Sequence, residues 1–350
     1  MKAHAPPLMR RALWLAASVV AFVMGLVLVA ELVSRFVLGL GTPPLYETDA
    51  GFEYRLRPNQ DVQRFGNHIQ VNRWGMRSSD FGNTKTDPQE LRVMVFGDSV
   101  VNGGSQIDQS ELSTAVLQTA LHNRLGRPVT VGNISAGSWG PGNWLAYAQR
   151  FGFFDADVVV LVLGSGDHAD NPVFAPLGTD HPTQAPALAS QEAVQRYLPR
   201  YLPRFLPQPL LAWVSPAPST PSTPTTATPT KNSSAGGSAK GLDDLRAFLR
   251  MAQAEGRHVV VLHHPDRAET NSSQYLDGHA QIRSLVLAQG LPFVELRAAY
   301  RTAGAGVYRD DVHHSPLGQS VMAQALFSAV LQALPMPRPD EAMAGAGERP

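Results

Sequence analysis

The chain has 350 residues, 43% of them hydrophobic and 17% charged, which is enough to bury one sizeable core with some chain to spare. Its 29 basic and 29 acidic residues cancel, so net charge supplies no attraction to nucleic acid, and no nucleic-acid partner is expected. The absence of cysteine excludes disulfides, thiol catalysis and thiolate metal ligands but leaves the compartment to be read from the N-terminus.

Lys2, Arg10 and Arg11 precede residues 12–30, a stretch without a charge. At about 1.5 Å per residue, a helix of that length nearly crosses a hydrocarbon core of about 30 Å. Basic residues ahead of the stretch favour a cytoplasmic N-terminus, which places the chain after about residue 40 beyond the inner membrane, in the periplasm. Residues 31–34, Glu-Leu-Val-Ser, lack a small-x-small cleavage pattern, so an uncleaved anchor over residues 1–40 is expected. An ordinary core helix would show a polar face, and this stretch has none.

After a lead-in segment over residues 41–90, short β-branched runs alternate with helical patterns. Residues 92–97, 129–134, 157–163, 258–263 and 292–296 read as strands buried on both faces. Helices are expected over about 112–125, 243–255, 278–289 and 315–334. The alternation predicts an α/β fold, a three-layer α/β/α sandwich around a parallel sheet of about five strands, spanning residues 91–334. Ligands of such sheets bind beyond the carboxyl ends of the strands, where Ser99, Gly137 and residues 164–167 would lie together.

Two segments depart from this pattern. A repeat of Arg-Tyr-Leu-Pro begins at Arg196 and recurs at Arg200 and, as Arg-Phe-Leu-Pro, at Arg204; a proline every fourth residue predicts turns or extended pieces covering the sheet edge. An aromatic and arginine strip lying on sugar rings or on a membrane surface is the other reading of it. Residues 215–240, rich in Pro, Ser, Thr and Gly, read as a disordered insertion, and residues 335–350 as a loose tail.

The stretch Arg92 to Val100, RVMVFGDSV, sets Ser99 between a strand and a helix, where a serine often serves only as an N-cap. As a nucleophile it would need a base and a group to orient that base. Residues 308–318, YRDDVHHSPLG, supply Asp310 and His313 three apart, a spacing that can set a carboxylate against an imidazole. Asp311 and His314 share that spacing. His263 and His264 end a strand, so one is expected to be packed and the other exposed; neither this pair nor His313–His314 has the spacing of a metal motif, and no metal or cofactor is expected.

These residues resemble the SGNH or GDSL hydrolases. The first block of that family is an apolar strand ending in Gly-Asp-Ser, matched by Gly97, Asp98 and Ser99. Its last block, Asp-x-x-His followed by a polar residue and a glycine, is matched by Asp310, His313, Ser315 and Gly318, with the distance to Gly318 favouring His313 over His314. Residues 71–77, VNRWGMR, look like the Asn-x-x-Gly-x-Arg stretch that often precedes the first block in membrane-anchored members. The resemblance implies Ser99 as nucleophile, His313 as base, Asp310 as its orienting acid, and an oxyanion hole built from the Ser99 N–H, a glycine N–H and an asparagine side chain. Gly137 is the expected glycine, with Ser138 or Gly140 under another alignment. The third block should read Gly-x-Asn-Asp, yet residues 164–167 read Gly-Ser-Gly-Asp, so Gly166 stands where the asparagine should be. Three explanations stay open: Asn171 or Asn143 replaces the donor, the hole runs on two backbone amides at a lower rate, or hydrolase activity is lost. The resemblance further implies a serine esterase acting on O-acyl esters of envelope carbohydrate or lipid. The alternatives are an O-acyltransferase whose acceptor is held near Trp139, Trp144 or the repeat strip, and a catalytically silent binding protein.

Overall fold

The computed structural model describes residues 7–198 and 235–335, the side chains of residues 7–10 and 235–238 excepted. The apolar N-terminal stretch forms helix α1 (Pro7–Leu32), which continues into a π-helical turn over Val33–Val37. The segment Arg11–Val37 is long and apolar enough to cross a membrane, and none of its most apolar window is buried in the protein.

The lead-in folds into two antiparallel hairpins, β1 (Tyr46–Asp49) with β2 (Glu53–Leu56) and β3 (Gln60–Arg64) with β4 (Asn67–Val71). Their strands are polar on one side, and Tyr54, Leu56, Ile69 and Val71 bury the other. That half-buried pattern is far weaker than the solid apolar runs of a central sheet.

The five expected strands form the main sheet: β5 (Leu91–Gly97), β6 (Val129–Ser135), β7 (Val158–Leu163), β8 (His258–His263) and β9 (Phe293–Glu295), all parallel, in the order β6-β5-β7-β8-β9. Every residue of β5 and β7 is buried, as central strands covered on both faces require. The helices are α2 (Ser99–Asn102), α3 (Ser113–Leu125), α4 (Pro141–Phe151), α5 (Ala189–Glu192), α6 (Ala235–Ala254), α7 (Arg267–Asn271), α8 (Asp277–Ala288), α9 (Arg297–Ala303) and α10 (Pro316–Ala333). On one face of the sheet Phe96 and Leu161 pack with Trp144 of α4, Phe248 of α6 and Ile282 of α8. On the other, Val93, Val95 and Val160 pack with Leu117 and Leu121 of α3 and with Met322 and Leu326 of α10. The result is the expected α/β/α sandwich.

Two boundaries differ from expectation. The insertion expected over residues 215–240 stops short at its far end, because the chain from Ala235 is already helical in α6. Arg196 and Tyr197 do not avoid helix: they close a π-helical turn, Ala193–Tyr197, although the first proline of the repeat follows at once after Leu198, a position that disfavours the helical turn before it without forbidding it. The remaining repeats, residues 215–234 and the tail beyond 335 lie outside the described residues.

The chain leaves β5 for β6 on one side and later returns to pair β7 on the other, so the crevice where ligands bind opens at the end of β5. Gly97 ends that strand, and a Cβ there would stand 2.3 Å from Val101 Cγ2 and 3.2 Å from the Val162 carbonyl. Gly97→Ala is therefore expected to destabilise the domain by about 1–3 kcal/mol through overpacking, read as a lowered urea midpoint with an unchanged slope.

Candidate active site

Ser99 does not cap its helix. Asp98 does, its Oδ1 accepting the Val100 N–H at 2.8 Å, which leaves Ser99 at the first helical position beyond the sheet edge. The backbone N–H of Ser99 thus belongs to the first turn, whose amides have no partner within a helix. Trp144 Nε1 donates to the Gly97 carbonyl at 2.9 Å and fixes the strand end beneath the serine.

His313 reaches this serine from the other end of the domain: its Nε2 lies 3.0 Å from Ser99 Oγ, and its Nδ1 2.8 Å from Asp310 Oδ2. A carboxylate accepting from Nδ1–H leaves Nε2 as the acceptor that faces the hydroxyl. Burial pulls the Asp310 carboxyl upward, but the His313 and Val312 amides and the His313 ring outweigh it and hold the group below the usual carboxylate range. The loop is clamped from outside by Arg267, whose guanidinium donates to the Asp310 carbonyl at 2.7 and 3.0 Å and to the Tyr308 carbonyl at 3.1 Å. The rival pair is separated: the Asp311 side chain is 90% exposed, whereas His314 is buried, its ring 4.9 Å from that of Tyr300. Gly318 follows from packing, since a Cβ there would stand 2.3 Å from the Val307 carbonyl and 2.9 Å from His314 Cβ.

The helix after this loop, α10, is tied directly to the helix of Ser99. Gln319, fully buried, donates to the Val100 carbonyl at 2.7 Å and accepts the Ser113 N–H at 2.9 Å. Residues 71–77 act on the same segment. Asn72 Oδ1 accepts the N–H groups of Trp74 and Met76, Gly75 turns the chain at φ 77°, and buried Arg77 donates to the carbonyls of Asn102, Gly104 and Ile107. Burial lowers the Arg77 guanidinium to about 10, still charged at neutral pH. Only a long, forked donor could hold three carbonyls of the turn that follows Ser99.

Gly137 lies in the turn after β6, its carbonyl accepting the Tyr54 hydroxyl at 2.5 Å. A Cβ on Gly137 would stand 3.3 Å from His181 Nε2, and the His181 ring packs between Tyr46 and Tyr54 at 4.7 and 4.6 Å. Burial lowers the pKa of that imidazole. Nothing in the stretch around His181 marked it beforehand, because the contact joins a hairpin, a turn and a long connection that are remote in sequence. Ser138 holds φ 60°, and the Gly140 N–H is committed to Asn143 Oδ1 at 2.9 Å.

The two replacement donors fare differently. Asn143 is a structural residue: its amide nitrogen donates to the Phe52 carbonyl at 3.1 Å and to Glu53 Oε2 at 3.2 Å, which spends both of its N–H groups. Asn171 donates to the Ala169 carbonyl at 3.0 Å. Gly166 itself sits in a 3₁₀ turn, Ser165–Ala169, stitched by Asp167 Oδ2 accepting the Gly164 N–H at 2.6 Å.

Trp139 and Trp144 cannot hold an acceptor sugar, because both are fully buried, with the Trp139 indole donating to the Tyr54 carbonyl at 2.9 Å. His263 and His264 are both buried, rather than one packed and one exposed, since the end of β8 is covered on both faces. His263 Nε2 meets Ser165 Oγ at 2.9 Å, and burial lowers that imidazole to about 2, so it stays neutral. Among the described residues, Asp98, Asp167 and His264 bring donor atoms within 4.8 Å of one another. Such an oxygen and nitrogen set suits a divalent cation, although both carboxylates already serve backbone amides of the first and third blocks.

The described domain is an α/β/α sandwich around a five-stranded parallel sheet. No protein-family model and no curated protein matches the chain. Similar solved structures include the acetyl xylan esterase AlAXEase (15% identity over 69% of this chain and 100% of that one, TM-score 0.42) and TesA (14% identity over 70% and 100%, TM-score 0.43). Another is a putative lipolytic protein of the G-D-S-L family from Desulfitobacterium hafniense DCB-2, at 10% identity over 68% of this chain and 99% of that one, with TM-score 0.38.

Two outcomes follow from these contacts. If Ser99 acts as a nucleophile, Asp310→Asn is expected to keep the loop in place but to lower turnover of a chromogenic ester about 10³- to 10⁴-fold, read as kcat, by presenting the wrong histidine tautomer. Asn143→Ala should instead cost about 1–3 kcal/mol in urea unfolding, with little change in kcat of the folded fraction, because it strips hydrogen bonds from buried partners.

Proposed function

We propose that this chain is a serine esterase that hydrolyses O-acyl esters through an acyl-serine intermediate. The observation that carries the reading is the continuous line of hydrogen bonds from Asp310 through His313 to Ser99, 2.8 and 3.0 Å long. Ser99 Oγ attacks the ester carbonyl carbon as His313 Nε2 takes the hydroxyl proton, and ionised Asp310 stabilises the imidazolium so formed. The negative charge that develops on the carbonyl oxygen faces the N–H groups of Ser99 and Gly137. The C–O bond to the leaving alkoxide then breaks, and the alkoxide departs as an alcohol with the proton held by His313. Water enters by the same route in reverse: His313 takes its proton, the hydroxyl adds to the acyl carbon, and Ser99 leaves with the proton returned.

With Gly166 in the third block, the hole runs on those two amides. Each pre-positioned donor is worth about 3–4 kcal/mol, so a slower enzyme is expected than one with all three. The side chains of His313 and Asp310 are 35% and 52% exposed, which suits an ester displayed on a larger molecule, such as an acylated carbohydrate or lipid, rather than one enclosed in a deep cavity. Tethering by α1, with the domain beyond the inner membrane, would place such substrates within the cell envelope.

The test uses the full chain in detergent micelles, with p-nitrophenyl acetate turnover and fluorophosphonate labelling measured for wild type, Ser99→Ala and His313→Ala. Labelling is expected on wild type and absent from Ser99→Ala, with turnover falling by at least about 10³-fold in both variants. A folded wild type that neither labels nor turns over ester would overturn the reading in favour of a silent binding protein.

A further inference from the structure

We infer that Leu188, Val194 and Leu198, together with Phe36, Val37 and Leu38 at the end of the anchor, form an apolar platform that rests in the lipid surface, so that the anchor is a rigid pedestal for the domain. The inference rests on the reading of α1 as a membrane span. About 20 helical residues fill a hydrocarbon core of about 30 Å. Counted from Arg11, that length ends at Glu31, the next charged residue, so Glu31 and Arg35 stand at the far edge of the bilayer.

The domain docks at that level. Glu31 pairs with Arg35 at 2.9 Å and accepts the Ala189 N–H at 3.0 Å, the Ser190 N–H at 2.9 Å and the Ser190 hydroxyl at 2.9 Å. On the other side of α5, Glu192 accepts the Gly41 N–H at 2.7 Å and is bound by the buried guanidinium of Arg64. Gly41 is packed so closely that a Cβ on it would stand 3.0 Å from Ala189 Cβ. Helix α5 is thus gripped by the chain emerging from the membrane, through groups that a flexible tether would have left to water.

The side chains around this junction are apolar and bare. Leu188, Val194 and Leu198 on the docked segment, and Phe36, Val37 and Leu38 on the anchor, are between 41% and 76% exposed. An isolated exposed leucine needs no explanation, but six large apolar side chains about one junction do. Continuity with the spanning helix names what covers them: the boundary between headgroups and acyl chains, where apolar bodies bury, while the polar tips of Tyr197, Arg35 and Arg196 are met by Arg64, Glu31 and Glu192. The docked segment also leads back to the catalytic edge, since His181 on the same connection lies beside Gly137. On this inference the site is held at a set height over the lipid.

The chain has no cysteine, so single cysteines placed at Leu188, Val194, Val23 and Arg124 of the full protein can be labelled with NBD after reconstitution into phosphatidylcholine vesicles. Val23 reports the span, and Arg124, exposed on α3, reports water. Labels at Leu188 and Val194 are expected to show the blue-shifted emission, and the quenching by doxyl-labelled lipid, that Val23 shows and Arg124 lacks, with circular dichroism confirming an unchanged fold. Labels at Leu188 and Val194 that behave like Arg124 while Val23 is quenched would overturn the platform and leave the anchor standing. An unquenched Val23 would overturn both.

Discussion

The hydrogen bond between Ser99 and His313 joins groups 214 residues apart, and much of the domain can be understood as the means of keeping it 3.0 Å long. Closing so long a loop costs entropy that a single hydrogen bond cannot repay. The parallel sheet repays it, because every right-handed crossover returns the chain to the same edge and each strand delivers its following turn there. Precision comes from shorter-range ties: Gln319 locks α10 to α2 and α3, Arg267 clamps the loop of Asp310, and Arg77 gathers the carbonyls beyond Ser99. Such ties hold the two groups to a tolerance of the kind that a positioned base requires, about 0.5 Å.

The parts of this arrangement that could be read beforehand are those where one local pattern decides the outcome. The central strands β5, β7 and β8 are apolar, β-branched runs because both faces are covered, whereas β9 at the sheet edge is only partly buried, against the expectation of burial on both faces. Asp310 and His313 were legible for a similar reason: a three-residue spacing is a contact made within one turn. The hairpins over residues 46–71 were not, because their apolar residues face only one side and become meaningful only when Tyr54 and Phe52 are seen under Trp139 and Tyr147. Asn143 and the tryptophans misled for the same reason. A polar or aromatic side chain near a catalytic turn could face either the substrate or the core, and only tertiary packing decides which.

The third block shows how an apparent loss is absorbed. Gly166 removes one donor from the expected hole, yet the turn around it is tightly built. Asp167 holds Gly164, Ser165 Oγ bridges His263 and Glu269, and a Cβ at Gly278 of α8 would stand 2.0 Å from the Ser165 carbonyl. Such close approach of α8 fixes the height of the turn above the sheet. What changes is the number of donors, not the rigidity of the cradle. On the proposed reading, the consequence would fall on rate rather than on the kind of reaction.

The connection from Gly164 to Leu198 links these themes, because one stretch of chain begins at the catalytic edge, sets His181 beside Gly137, and ends gripped by Glu31 and Gly41. A connection that served only to close a loop would have no need of contacts at both extremes. Here any tilt of the anchor would be carried through α5 into the segment that packs on Tyr46 and Tyr54, and so toward the turn of Gly137. A free tether would let the bilayer and the active site move independently. The pedestal proposed above would instead couple the position of the Gly137 turn to the plane of the membrane.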